Sequence, residues 1–373
     1  MTDLNDYDYS LPQRNLSLEP AIPRDSSRLF VYDTKKDQIN FDYFYNLDRY
    51  LPKNSFLVLN NTKVLPARVT MTKESGGKVI VLFLVSEPTE LGTVKVMADR
   101  KVNVGEELKF DLSTSETSNV PWLRVISQKE HLFVLKHDFS REKLFSFLQK
   151  YGTMPIPPYL KKSPMSRDEL LEKYQTIFAK KEGSSAAPTA SLHFTERVFE
   201  KLDEKGIEKY FVTLHVGLGT FAPITDENLK MKKLHEEYYE IDKDLLKLIE
   251  TRRLRGDRLV AVGTTVVRTL ESEARHRIFE STSPPKGGSP KSLIQKQVSS
   301  PLKKTSLFIY PPYDFKMVDV MITNFHLPKS SLMMLVEAFL QFKGAKRSLV
   351  DLYNIAIKNN FRFYSFGDAM VII

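Results

Sequence analysis

Apolar and polar positions change their rhythm twice along this chain. The first 67 residues hold a turn-rich acidic segment and one continuous apolar run, SFLVLNN at 55–61. That run predicts a buried strand ending in an Asn-Asn turn. From Arg68 to about His137 short β-rich runs recur: VIVLFLV at 79–85, TVKVM at 93–97, ELKF at 107–110, WLRVI at 122–126 and LFVL at 132–135. Gly76-Gly77, Pro88, Gly92, Gly105 and Pro121 separate them. Strands at such spacing, with no helical period between them, predict a small antiparallel barrel or sandwich.

From Arg141 the pattern becomes α/β. ERVFEKLDEK, after a Thr195 N-cap, puts Val198, Phe199 and Leu202 on one helical face, and Gly206 stops it. KYFVTLHV at 209–216 predicts a strand, DLLKLIETRR at 244–253 a helix and RLVAVG at 258–263 a buried strand. Thr264 or Thr265 caps the next helix, whose apolar face carries Val266, Val267, Leu270 and Ala274. Strands at 306–310 and 318–323 follow, then a helix at 330–340 capped by Ser330 or Ser331. Alternating strands and helices imply a mainly parallel α/β/α sheet covered on both faces. The fold class is therefore α/β with two domains, an α/β domain over 1–67 and 141–373 and an inserted antiparallel β-barrel over 68–140. Residues 280–304, rich in Ser, Pro, Gly and Lys, are expected to form a flexible loop.

Composition narrows the chemistry. At 373 residues, with 42% hydrophobic and 11% aromatic positions, the chain can bury more than one core. It has no cysteine, which excludes disulfides, thiolate nucleophiles and cysteine-ligated metals and fits a reducing compartment. No window reaches the ~18 apolar residues of a spanning helix, and the acidic N-terminus lacks a signal-peptide core. A soluble cytoplasmic protein that meets no membrane is expected. The net charge of +9 favours an anionic partner such as nucleic acid, although a Lys-rich surface alone gives the same balance.

Five polar loops follow predicted strands or open predicted helices: 183–195, 214–223, 262–272, 323–335 and 362–370. In open α/β sheets ligands bind outside the carboxyl ends of the strands, where such loops gather. Each loop carries a histidine or an arginine: His193, His215, Arg268, His326 and Arg362. In the first, Gly183, Ser184 and Ser185 let backbone amides approach a ligand. GLGTF at 217–221 is neither GxGxxG nor a P-loop, so a nicotinamide dinucleotide or a P-loop nucleotide is unsupported. Its glycines serve a small ligand or a tight turn. His193 and His215 suit proton transfer near neutral pH, or else pack against backbone. His326, two residues before Pro328, is an acid/base group or a turn element. Arg268 binds a carboxylate or phosphate, or pairs with Glu271 or Glu273. Glu236 and Glu237 accept from a cationic ligand or a guanine-like donor edge, or line a solvated strand. Neither HExxH nor other metal-ligand spacing occurs, so no metal is expected.

These loops, with DYDYSLP at 6–12, SRLF at 27–30, VLNNTKVLPAR at 58–68 and GDAM at 367–370, resemble the S-adenosylmethionine:tRNA ribosyltransferase-isomerases of queuosine biosynthesis over nearly the whole chain. The resemblance implies an α/β domain with an inserted barrel, and transfer and isomerisation of the ribosyl group of S-adenosylmethionine. The acceptor is 7-aminomethyl-7-deazaguanine (preQ1) at the tRNA wobble position; epoxyqueuosine-tRNA, adenine and methionine are formed. S-adenosylmethionine is consumed as a substrate, so no cofactor is implied, and a monomer is expected. His193, His215 and His326 are the catalytic candidates, with His193 and His215 favoured for proton transfer. Candidate substrate contacts are Ser184, Thr189, Phe194, Gly217, Gly219, Thr220, Phe221, Glu237, Thr264, Arg268, Asn324 and Asp368. Arg268 is assigned the methionine carboxylate, and Phe194, Phe221 or Phe325 the sulfonium. Lys161, Lys162, Lys180 and Lys181 are placed to meet RNA phosphates.

The chain departs from the family pattern at Lys232, where a histidine is usual, at Pro312, where glycine is usual, and at Ser185 and Ser191, where valine and glycine are usual. Two other classes stay in play. One is a noncatalytic tRNA-binding paralogue, kept open by Lys232 and Pro312. The other is an ordinary methyltransferase, opposed by the missing GxGxG-type loop.

Overall fold

The structure, a computed structural model, describes residues 3–87, 89–111, 122–129, 132–217, 224–282 and 302–373. Two sheets dominate it. The larger is assembled from β1 (Arg28–Asp33), β2 (Gln38–Tyr43) and β3 (Ser55–Asn60), and from β12 (Lys209–His215), β13 (Lys233–Glu240), β14 (Arg258–Val262), β15 (Lys303–Leu307), β16 (Val320–Asn324) and β17 (Ala369–Ile372). Their order across the sheet is β15-β13-β12-β3-β14-β16-β17-β1-β2. The central strands β12, β3, β14 and β16 are mutually parallel. Antiparallel ladders flank them at β13, β15, β17 and β2, while β1 runs parallel to β17.

β3 sits in the centre because all six of its residues are buried, as its unbroken apolar run requires. Helices cover both faces: α3 (Glu196–Glu204), α4 (Asp226–Met231), α5 (Lys243–Leu254), α6 (Thr264–Thr282), α7 (Ser331–Phe342) and α8 (Leu349–Lys358). Val266, Val267 and Leu270 of α6 pack with α7 and α8 on one face, whereas Val198, Phe199 and Leu202 of α3 pack on the other. The Thr195 side chain caps α3 through the Val198 amide at 3.4 Å.

Between β3 and the helices the chain builds a closed barrel. It contains β5 (Arg68–Lys73), β6 (Lys78–Phe83), β7 (Thr93–Ala98), β8 (Glu107–Phe110), β9 (Trp122–Lys129) and β10 (Leu132–Lys136), in the order β10-β7-β6-β5-β8-β9. Alternate residues such as Val79, Val81 and Phe83 point inward. The helix α1 (Arg141–Tyr151), capped by Ser140, adds Leu144 and Leu148 to the barrel's own core. A short α2 (Arg167–Lys173) follows. A minor parallel pair, β4 (Thr62–Val64) with β11 (Lys181–Ser184), brings the 183–195 loop beside the end of β3.

Some elements shift from expectation. The strand predicted at 306–310 lies at 303–307, and Phe308 and Ile309 leave the ladder to join the core. The LHEE segment belongs to β13, which lies inside the sheet between β12 and β15. Most of the 280–304 segment lies outside the described residues. Among the described residues no helix is long and apolar enough to cross a membrane.

Candidate active site

The parallel strands β3, β12, β14 and β16 end on the same edge of the sheet, with Asn60, His215, Val262 and Asn324 as their last residues. Asn60 ties that edge together. Its Oδ1 accepts from the Thr62 and Leu214 amides, both at 3.1 Å. Its Nδ2 donates to the Leu214 carbonyl at 2.9 Å and to Thr265 Oγ1 at 3.3 Å. One buried amide thereby fixes the ends of two strands against the first turn of α6.

Above this edge opens a cleft. All five polar loops reach it: Ala186–Ala190 and Thr189 from the first, Val216 from the second, Gly263, Thr264 and Thr265 from the third, Thr323–Leu327 from the fourth, Tyr364 and Ser365 from the fifth. Tyr159, Tyr174 and Leu332 complete the wall. Among the described lining residues none is Asp, Glu, Lys or Arg. Asn324 donates its Nδ2 to the Tyr364 carbonyl at 3.0 Å; its buried Oδ1 makes no well-formed hydrogen bond, although the side chain interacts with the His193 ring. The Tyr174 hydroxyl is also buried without a partner. Tyr364 holds φ at +73°, a left-handed conformation that a bulky side chain rarely adopts, and such outliers concentrate at functional sites. Its ring meets that of Tyr159 at 4.8 Å. Gly367 closes the turn, since a Cβ there would lie 2.4 Å from the Arg362 carbonyl oxygen.

The three histidines separate. His326 lines the cleft. Thr323 Oγ1 lies 3.3 Å from its Nε2, and Tyr353 Oη lies 3.3 Å from its Nδ1. Its carbonyl accepts from the Tyr9 hydroxyl, so the N-terminal segment braces this loop. His193 lies behind the wall, with Ser27 Oγ 2.8 Å from Nδ1, the Phe44 ring at 5.1 Å and a buried Nε2 that has no partner. His215 lies beneath Gly183, with Thr62 Oγ1 at 2.8 Å from Nδ1. A Cβ on Gly183, at φ +147°, would stand 2.9 Å from the His215 ring. Burial pulls His193 and His215 down to about 4 and His326 down to about 3. All three imidazoles are neutral at pH 7, which rules out a ready imidazolium acid, and burial also weakens each of them as a base.

The other candidates divide between ligand space and framework. Thr189, Thr264 and Asn324 line the cleft. Ser184 is framework, with Oγ donating to the Ala186 carbonyl at 2.8 Å and accepting from the Val216 amide at 2.9 Å. Phe194 is fully buried against Phe44 and Phe199, so its ring does not face the cleft, whereas Phe325 does line it. Asp368 is fully buried and is occupied by Arg362 Nη2 at 2.9 Å and by the amides of Arg28 and Arg362 at 3.0 and 2.8 Å. Arg268 pairs with Glu237 rather than with Glu271 or Glu273. Glu237 Oε1 accepts the Gly217 amide at 3.0 Å. Gly219, Thr220 and Phe221 lie outside the described residues. Lys161, Lys162, Lys180 and Lys181 are exposed, and the first two share a 3-10 turn with Tyr159. Lys232 takes a left-handed conformation as the C-cap of α4 and contributes nothing to the cleft wall. Reasoning from sequence did not single out Asn60, Tyr159, Tyr174, Tyr364 or Ser365. Tyr364 and Ser365 lie within the fifth polar loop, whereas Tyr159 and Tyr174 lie outside all five.

The profile of a family described as queuosine biosynthesis protein matches residues 4–372. An S-adenosylmethionine:tRNA ribosyltransferase-isomerase of Thermosipho melanesiensis is 41% identical over 369 residues, covering 99% of both chains. The protein of the same name from Carboxydothermus hydrogenoformans is 40% identical over 371 residues, again covering 99% of both. A crystal structure of an S-adenosylmethionine tRNA ribosyltransferase from Thermotoga maritima aligns over 99% of this chain and 100% of its own, with a TM-score of 0.50 and 31% identity.

Proposed function

This chain belongs to the queuosine biosynthesis protein family, and from that premise we propose how its cleft works. The enzyme is an S-adenosylmethionine:tRNA ribosyltransferase-isomerase. It moves the ribosyl group of S-adenosylmethionine onto preQ1 in tRNA and rearranges it to epoxyqueuosine, releasing adenine and methionine. The observation that carries the assignment to this cleft is the meeting of all five loops on a wall that, among the described residues, has no Asp, Glu, Lys or Arg. The nucleoside portion of the donor needs shape and neutral hydrogen bonds, which such a wall supplies.

The sulfonium acidifies the neighbouring ribose C–H. His326 is the proton acceptor, being neutral and the one histidine of the three on the cleft wall. Tyr353, 3.3 Å from Nδ1, orients the ring, and proton transfer to Nε2 requires the bound substrate to replace the 3.3 Å contact with Thr323. His193 and His215 hold the wall from behind, through Ser27 and Thr62. Adenine leaves more readily when its nitrogens are hydrogen-bonded, and the Thr264, Thr265 and Tyr159 hydroxyls surround it as neutral donors. Burial pushes the Tyr159 phenol up to about 12, which keeps it protonated. Asn324 Oδ1 receives an exocyclic amine. The preQ1 nucleotide leaves its stack to enter, and Tyr159 and Tyr364 offer it rings at the mouth. Lys161 and Lys162, on the turn that carries Tyr159, meet the flanking phosphates, and Lys180 and Lys181 extend that basic rim. The reaction is read as that of a monomer, and a tRNA substrate supports a cytoplasmic setting.

The test is adenine release from S-adenosylmethionine with and without preQ1-containing tRNA. Adenine and methionine formed in equal amounts, only with that tRNA, are expected. Tight tRNA binding without adenine would support a noncatalytic paralogue, and a labelled methyl group appearing in RNA would support a methyltransferase.

A further inference from the structure

Beside the cleft, and sharing Leu332 with it, lies a second, smaller recess. Its polar end is Arg268 and Glu237, whose side chains are 8% and 3% exposed. The guanidinium is held on two sides: Nε donates to the Leu307 carbonyl at 3.2 Å, and Nη1 is ion-paired with Glu237. Its Nη2 is buried and has no partner. A buried charged donor is costly to leave unsatisfied, so its free N–H bonds call for an acceptor that arrives with a ligand. A bare anion is disfavoured, because the Glu237 carboxylate lies against the same guanidinium. Leu234, Ile309, Leu332 and Leu335 supply its apolar lining, and His235 and Ser331 complete the wall. A carboxylate for Arg268, an ammonium for Glu237 and an unbranched apolar chain along the leucines together describe one chemical class, an L-α-amino acid with a straight apolar side chain.

We infer that this cavity seats the methionine portion of the donor and binds free L-methionine, so that the released amino acid competes with S-adenosylmethionine. The inference rests on the donor assignment made above and adds three things to it. Glu237 reads the ammonium, the leucine wall reads the thioether chain, and Leu332 marks the passage from ionic cavity to neutral cleft. The sulfonium then lies at that passage, away from the Arg268 charge.

Initial rates of adenine release by the full-length enzyme with preQ1-tRNA, at varied donor and added L-methionine, test it. Competitive inhibition against S-adenosylmethionine is expected. 3-(Methylthio)propylamine, which lacks the carboxylate, and 4-(methylthio)butanoate, which lacks the ammonium, should each inhibit about ten-fold more weakly or worse, as loss of a charge-assisted hydrogen bond implies. L-Norleucine should resemble L-methionine. Arg268→Lys, which keeps a cation beside Glu237, should raise KM for the donor about ten-fold, leave KM for tRNA unchanged and abolish the advantage of L-methionine over the amine. A merely structural arginine would leave the inhibitor order intact. Inhibition noncompetitive with the donor, equal inhibition by the amine, or no inhibition at a hundred-fold excess over donor KM would overturn the inference. A methionine-free control that releases no adenine would instead defeat the reaction assignment, and calorimetric titration with L-methionine would then decide the cavity alone.

Discussion

The two recesses that meet at Leu332 rest on opposite electrostatic terms. The cleft has no Asp, Glu, Lys or Arg on its described wall and leaves neutral polar atoms unsatisfied, Asn324 Oδ1 and Tyr174 Oη among them. The cavity holds a full charge pair, and Arg268 and Glu237 satisfy most of each other's demand before any ligand arrives. An orphaned neutral group costs ~1–3 kcal/mol, which a fold of this size can carry. An orphaned buried charge costs more, so charges must come in pairs. The cleft can therefore wait open for a nucleoside, while the cavity has to be assembled during folding. Removing a polar group should impair turnover in the first and stability in the second.

The largest expected effect tests that division directly. His326→Gln should lower kcat by ~10²–10⁴-fold, the range for a lost general base, while the thermal midpoint moves little. His193→Gln and His215→Gln should act mainly on stability, since Ser27 and Thr62 hold them behind the wall. A kcat unchanged in His326→Gln would remove the cleft's base and return the role to the other two. In the cavity, Glu237→Ala leaves the guanidinium buried opposite a methyl group and should cost ~3–5 kcal/mol in denaturant unfolding. Glu237→Gln, which still accepts the Gly217 amide and an arginine N–H, should cost less. Equal losses would show that the pair's charge contributes little beyond its hydrogen bonds.

A smaller, graded effect comes from pH. Folding lowers His193 and His215 to about 4 and His326 to about 3, from an ordinary value of 6.5. Between 6.5 and those values the unfolded chain binds more protons. This stability is therefore fully present above pH 6.5 and is lost as pH falls towards 4 and then 3. Each histidine steepens the decline by at most ~1.4 kcal/mol per pH unit. Urea midpoints at pH 7.5 and 5 should show the fall, and His193→Asn should remove about one proton's share of the slope. The same displacement predicts no inflection near 6.5 in kcat from His326, and one that disappears in His326→Gln would contradict its neutral state.

How much of this was legible in the sequence follows from the range of the interactions. Barrel strands such as β6 declare themselves by alternation, because Val79, Val81 and Phe83 face in while Lys78 and Ile80 face out. β5 carries the same alternation in Val69 and Met71, but two apolar residues among threonines and a lysine make too weak a signal. The five loops were readable as a group because strand ends collect on one edge. Which side chain within a loop reaches the cleft was not readable. His193 and Phe194 stand among small residues, yet one is packed behind the wall by Ser27 and Phe44 and the other stacks on Phe199. Asn60 shows the limit most clearly: its partners Leu214 and Thr265 are 154 and 205 residues away, and no local pattern records them.

The smallest predicted effect has the opposite sign from the rest and tests whether unsatisfied atoms near the cleft all await a ligand. Ser191 lies in the 3-10 turn from Thr189 to His193, fully buried, and its hydroxyl has no partner. Unlike Asn324 Oδ1 and Tyr174 Oη, it does not belong to the cleft wall, so no ligand is expected to satisfy it. Ser191→Ala removes the hydroxyl and keeps the Cβ, avoiding the backbone entropy that glycine would add. It should stabilise the fold by about 1 kcal/mol, the low end of the cost of an unpaired buried hydroxyl, and leave KM for both substrates unchanged. Asn324→Ala should do the reverse, changing stability little while weakening the donor or the acceptor. A destabilised Ser191→Ala would mean that a buried water satisfies the hydroxyl. The distinction between atoms left open for a ligand and atoms merely left over would then rest on Asn324 and Tyr174 alone.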